Sequence, residues 1–178
     1  MTRRPFLTAL LLVAAQAAGA LEPDEILITY AMKRGGKQIS AVSHELEWNF
    51  LMLDEHRARM QVRVPVDSFD SGDAKFDSAL RNAIGSARHP LAQIEGIARH
   101  GRLDGTLELA GVTRPVTVRL HAERAAGGAA AVASLAIDLR DYSIVLKGVD
   151  PHVEIAVIAR FPVGANAVLA GGSTQPKN

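Results

Sequence analysis

The chain has 178 residues, 48% apolar and 22% charged, which suits one domain with its own core and leaves no room for a second. Its formal charge is +1, and loss of a leader carrying Arg3 and Arg4 would take Lys+Arg from 20 to 18 against 19 acids, or −1, so composition points to neither nucleic acid nor an anionic membrane as partner. Cysteine is absent, which excludes a disulfide framework and a thiol-attached lipid anchor and leaves apolar burial, at ~25 cal/mol per Å², as the source of stability.

The chain opens with Arg3 and Arg4, an apolar stretch from Phe6 to Ala15, and the small residues Ala18-Gly19-Ala20, the order of a cleavable export signal. Residues 1–20 are therefore read as a signal peptide cut after Ala20, with Ala15-Gln16-Ala17 as a second small-x-small site. The apolar stretch is about half of the ~20 residues a spanning helix needs. Thr2-Arg3-Arg4-Pro5-Phe6-Leu7 also looks like a twin-arginine motif, but little chain precedes it, and ordinary Sec export to the periplasm is expected.

From residue 21 onward a period of two dominates. Ile26 to Met32 and Gln38 to Ser43 flank the turn Arg34-Gly35-Gly36. Leu46, Trp48, Phe50 and Met52 alternate with Glu45, Glu47 and Asn49, and Met60, Val62 and Val64 with Gln61 and Arg63, as half-buried strands require. Ser71 to Arg88 breaks the pattern: Asp73 can cap a helix carrying Ala74, Phe76, Asp77, Leu80, Arg81 and Ile84, and Pro90 closes it. Alternation returns in Leu107 and Leu109, in Val116, Val118 and Leu120, more weakly from Ala131 to Leu139, and in Val153, Ile155, Val157, Ala159 and Phe161. One short helix against eight or nine closely linked strands predicts an all-β antiparallel domain over residues 21–163, either a closed barrel or a sandwich. Residues 164–178 carry no period and are read as a flexible tail.

Chemistry-bearing residues form no recognisable centre. His44, His56, His89, His100, His121 and His152 are scattered without ligand spacing, so no metal is expected. Asp67, Asp70, Asp73 and Asp77 lack the order of a calcium loop and fit turns and helix capping. With no nucleophile elbow, P-loop or dinucleotide cradle, no catalytic residue is assigned, and the chain is not expected to be an enzyme. The arginines Arg57, Arg63, Arg81, Arg102, Arg119 and Arg160 form no run and read as solvated faces.

Three segments, taken in order, resemble the YceI-like family. Val64-Pro65-Val66-Asp67-Ser68-Phe69-Asp70-Ser71-Gly72, followed by a short helix ending in His89-Pro90, is similar to the family's strand, turn and helix element. Gly105 to Val118, with Gly111-Val112-Thr113-Arg114-Pro115 at its turn, resembles the family's most diagnostic hairpin, and Ile137 to Ile144 its segment before the last strand. The likeness covers about Ile26 to Phe161. Where the family opens its helix with Arg-Asp, this chain has Phe76-Asp77, and the histidine that often follows is absent, so polar contacts made through those positions do not carry over.

The resemblance implies a lipocalin-like antiparallel β-barrel of about eight strands, usually exported, that in several members encloses a long isoprenoid chain such as a polyprenyl or quinone tail. An eight-stranded barrel either fills with its own side chains or holds one small ligand, and only 4% of the residues are aromatic. The expected role is therefore a non-catalytic periplasmic carrier or buffer of a long apolar lipid, with no cofactor beyond that isoprenoid- or quinone-type molecule. Candidate lining residues are Leu46, Trp48, Phe50, Met60, Val62, Leu107, Leu109, Val116, Val118, Ile155 and Val157, with Phe76 and Leu80 as a lid. The alternative is a filled barrel acting as a structural or interaction protein with an envelope redox or membrane partner. A transient contact with a membrane or membrane protein is compatible with either role; a nucleic-acid partner is not expected.

Overall fold

The structure is a computed structural model that describes residues 25–162 except 55, 126 and 127, and of residues 50, 52, 123–125, 128, 129, 161 and 162 the backbone alone. The signal peptide and the tail read from the sequence lie outside the described residues. Nine strands form one sheet: β1 (Glu25–Arg34), β2 (Lys37–Ser43), β3 (Glu47–Asp54), β4 (Arg57–Pro65), β5 (Leu91–Arg99), β6 (Arg102–Leu109), β7 (Val112–Ala125), β8 (Gly128–Asp138) and β9 (His152–Pro162). Helix α1 (Ala74–Ile84) joins β4 to β5, and a short 3-10 helix, Leu139–Tyr142, opens the connection from β8 to β9. Every neighbouring pair is antiparallel, in the order β2-β1-β9-β8-β7-β6-β5-β4-β3.

The ends of that order dictate the shape. β2 and β3 stand at opposite edges of the sheet, eight strand spacings of ~4.8 Å apart if it were flat, or about 38 Å. Yet Ser43 and Glu47 are joined by three residues, which reach ~14 Å at most. The sheet must curl until its edges meet. Eight antiparallel steps make β2 and β3 run the same way, and side-by-side parallel strands need a crossover of a dozen or more residues. They therefore lie end to end as one bent stave, its first half bonded to β1 and its second half to β4. The nine strands thus form a curled, lipocalin-like antiparallel half-barrel whose end strands β2 and β3 are not bonded to one another.

One end of this barrel is plugged. After β4 the chain crosses to the free edge of β2, where Val42 and Asp70 exchange two backbone bonds of 3.0 Å. Asp73 caps α1, its carboxylate accepting from the amides of Lys75 and Phe76, and Gly85 ends it in the left-handed conformation with φ 71°. The spacing Phe76, Leu80, Ile84 lays one apolar stripe of α1 on the core, joined by Val66 and by Leu139, Tyr142 and Ile144. We call this the upper end. At the lower end Arg99 to Arg102 is a tight turn, Asp54 pairs with Arg57, and Ala125 pairs with Gly128.

Strand β5 is absent from the sequence reading. Its inward positions are Ile94 and the small residues Ala92, Gly96 and Ala98, which carry little alternation in hydrophobicity. Gly96 faces Gly105 across β5 and β6, and a Cβ on Gly105 would stand 2.1 Å from the Glu95 carbonyl oxygen. A Cβ on Gly96 would stand 2.5 Å from that of Asp104. The sheet bends too tightly there for any side chain. Gly105→Ala should therefore cost about 1–3 kcal/mol through strain, read as a lowered thermal midpoint; an unchanged midpoint would mean that the two strands part at no cost.

The barrel interior as candidate binding site

Cross-strand pairing carries the inner face around the barrel in rows. One row runs Phe50, Met60, Gly96, Gly105, Val116, and the next Trp48, Val62, Ile94, Leu107. A third joins Leu120, Ala133, Val157, Ile28 and Ser43 across β7, β8, β9, β1 and β2. The pleat places these residues on one side and their chain neighbours on the other. Nine of the thirteen sequence-proposed lining residues, Trp48, Met60, Val62, Leu107, Leu109, Val116, Val118, Ile155 and Val157, come from strands and share this face, and the backbone of Phe50 pairs in the same row.

They do not share one environment. Leu107, Leu109 and Val118 are buried in the core, and Phe76 and Leu80 lie in the plug at the upper end, so these five hold the fold together. Met60, Val62, Val116, Ile155 and Val157 are only half-buried, although they point inward. Leu46 is half-buried in the bend between β2 and β3, and Trp48 is 36% exposed. For Phe50 the side chain lies outside what is described. The sequence reading missed Ile28, Ile94, Ala133 and the pair Gly96 and Gly105, all on the same wall. A glycine inside a strand was the available signal, because it marks a bend or a close approach.

In a barrel stoppered by its own side chains the inward residues are closed to water. Here water reaches part of the apolar inner face, at Met60, Val62, Ile94, Val116, Leu120, Ala133, Ile155 and Val157, between inward residues that are closed to it, Ile28, Leu103, Leu107 and Val118. The two glycines remove side chains from its middle.

Polar groups gather at the plug. Asp77 is buried on α1, and its carboxylate accepts from the Ser71 amide at 3.2 Å and the Ser71 hydroxyl at 2.6 Å. The Ser43 and Ser68 hydroxyls lie 2.6 Å apart. The Tyr30 hydroxyl is buried with no hydrogen-bond partner among the described residues; burial first, then the negative charge of Asp77, pushes its pKa far above the ordinary phenol value. Arg34 stands over the Phe76 ring at 5.8 Å and 3.5 Å from Asp73, tying the β1–β2 hairpin to the helix. Each aspartate of the 67–77 cluster serves locally: Asp70 accepts from Gly72, Asp73 caps the helix, Asp67 lies 3.7 Å from Arg81, and Asp77 holds Ser71. No three metal-ligating side chains gather among the described residues.

The profile of the YceI-like domain matches residues 30–161, well over half of the chain. The chain belongs to the YceI-like domain family. No curated protein matches its sequence. Its fold is similar to that of BcnA from Burkholderia cenocepacia, with a TM-score of 0.63 at 15% identity over 75% of this chain and 94% of that one. It is also similar to a polyisoprenoid-binding domain from Saccharophagus degradans implicated in plant cell wall breakdown, with a TM-score of 0.60 at 14% identity over 79% of this chain and 97% of that one.

Two carboxylates test how this YceI-like domain holds its plug. Asp77→Ala would leave the Ser71 amide and hydroxyl without their partner and should cost about 1–3 kcal/mol in denaturant unfolding; parental stability would show that water replaces the carboxylate. Asp138 caps the 3-10 helix, and its hydrogen bonds from Arg140 lower its pKa from 3.8 to about 2. A lowered value stabilises the folded state above 3.8, and the contribution drains away as pH falls towards about 2. The stability of Asp138→Asn should accordingly fall less steeply than the parent's between about pH 4 and pH 2 in acid titrations followed by tryptophan fluorescence.

Proposed function

We propose that this protein is an exported, non-catalytic carrier or buffer that holds a long apolar ligand, of isoprenoid, quinone-like or other lipid kind, inside its barrel. The observation that carries the reading is the half-buried apolar inner wall around Gly96 and Gly105. Such a wall exposes apolar surface to water, and an apolar chain laid against it would gain ~0.8 kcal/mol for each buried CH₂ before ordering costs. The polyisoprenoid-binding domain among the similar folds supports the ligand class, and membership of the YceI-like family supports binding over catalysis. The basic, apolar, small-residue order of residues 1–20 supports export to the periplasm. Ligand affinity would come from burial of the tail, with Tyr30 and Ser43 as polar atoms at the closed end.

The filled-barrel alternative calls for inward side chains that meet and exclude water. The half-buried state of Met60, Val62, Val116 and Val157 favours the carrier reading.

Organic extraction and native mass spectrometry of the chain from Leu21 onward should reveal a co-purifying apolar species, displaced by a fluorescent polyprenyl or long-chain probe. Val116 faces Gly105 and is half-buried, so Val116→Phe extends a ring over the bare stretch of wall and should weaken probe binding at least tenfold while the protein stays folded. A persistently empty protein that binds no probe, or a Val116→Phe variant that binds as the parent does, would sink the carrier reading.

A further inference from the structure

Arginines scattered in the sequence are brought into one row on the outer face. Arg99 pairs with Arg102 and Arg102 with Arg119, while the pairing of Ala58 with Ala98 sets Arg57 beside Arg99. All four are exposed, one on each of β4, β5, β6 and β7, across three strand spacings of ~4.8 Å, or about 14 Å. Arg59 stands one step up β4, directly across from Leu51. Among the described residues two carboxylates answer these five cations: Asp54 lies 2.6 Å from Arg57, and Asp104 lies 2.9 Å from Arg102 and 3.6 Å from Arg99. Arg59 and Arg119 have no ion-pair partner among the described residues. Glu95, the next described acid on β5, is four residues up the strand from Arg99.

Directly opposed like charges destabilise a sheet, so this row works against the fold that displays it. Its neighbours are as unusual as its charge. On β3, whose far edge pairs with no strand, Leu51 is 62% exposed across from Arg59 on the outer face, and Leu53, at the register shift between Met52 and Asp54, is 44% exposed beside the Asp54–Arg57 pair. The patch lies at the lower end, opposite the plug, where Arg99 and Arg102 flank a tight turn and Arg57 pairs with Asp54. Arginines beside two projecting leucines match the requirements of an anionic bilayer surface: cations for the headgroups and apolar side chains for the boundary beneath them. A nucleic acid or an acidic protein would use the charges and leave the leucines in water.

We propose that the lower outer face, formed by Arg57, Arg59, Arg99, Arg102, Arg119 and the leucines of β3, docks the protein on an anionic phospholipid bilayer. This holds whether the barrel is empty or loaded, so its fate is separate from that of the carrier reading. The chain from Leu21 onward, which contains every described residue, should float with vesicles of phosphatidylcholine mixed with phosphatidylglycerol, bind phosphatidylcholine alone far less, and lose binding as salt is raised. Arg59→Gln with Arg119→Gln, which breaks no described ion pair and should leave the circular dichroism spectrum and melting unchanged, should weaken binding about fivefold for each arginine removed. Leu51→Ser with Leu53→Ser provides an independent variant and should also weaken it. No flotation with anionic vesicles, or binding indifferent to both double variants, would overturn the proposal. So would tight binding to a soluble polyanion such as heparin that survives the leucine changes without any vesicle binding, since the face would then serve an acidic macromolecule.

Discussion

Everything in this molecule follows from a short tether. Three residues, 44–46, join strands that stand at the two edges of a nine-stranded sheet. A flat or gently twisted sheet cannot satisfy that link, so closure is imposed by chain length and does not depend on any particular contact. The same tether fixes direction, because β2 and β3 run the same way and can only follow one another. One long stave therefore serves both neighbours, β1 with its first half and β4 with its second. The edge of β2 left free by this arrangement is the one that Asp70 takes up.

Closure divides the side chains by parity, and parity settles both surfaces at once. A strand whose even residues face inward must show its odd residues to solvent. On β4 this rule sends Met60 and Val62 to the lumen and Arg57 and Arg59 outward; on β6 it sends Leu103 and Leu107 inward and Arg102 and Asp104 outward. A slip of one residue in β4 would put Arg57 and Arg59 in the lumen and Met60 and Val62 in water, so the register there is strongly specified. Gly96 and Gly105 belong to the same logic. At the tightest approach of β5 and β6 the curvature excludes a Cβ, and the exclusion leaves the middle of the wall bare.

Alternation made most of this legible in advance. The eight strands that carry clear or weak alternation, and the helix capped by Asp73, are where the sequence places them. β5 escaped because Ala92, Gly96 and Ala98 give it little contrast between faces, and its role became visible only through its partners. Within the lining set, one-dimensional pattern found the inward face but could not separate plug from wall: Leu107 and Val116 carry the same signal, yet one is buried under the upper end and the other is not. The arginine row was hidden for a stronger reason. Arg57, Arg99, Arg102 and Arg119 are far apart in the chain, so neither charge runs nor net charge can reveal a cluster that exists only in the cross-strand direction.

A barrel with an open wall gives up buried apolar area, and this chain has no cysteine with which to compensate. Its core nevertheless runs along the interior: Ala58, Ala98, Leu103 and Val118 are buried towards the lower end, and the plug adds to them at the upper end. Phe76, Leu80 and Ile84 of α1, Val66, and the 3-10 segment with Leu139, Tyr142 and Ile144 form a continuous core with Met32, Leu109, Ile137 and Val153 at the upper ends of the strands. Arg34 fastens the β1–β2 hairpin over Phe76, and the amide of Asp150 donates to the Lys33 carbonyl oxygen at 2.7 Å, so the loops across that end are bonded to one another as well as packed. The plug thus combines apolar burial with held charge, since buried Asp77 binds Ser71 and Arg34 reaches Asp73.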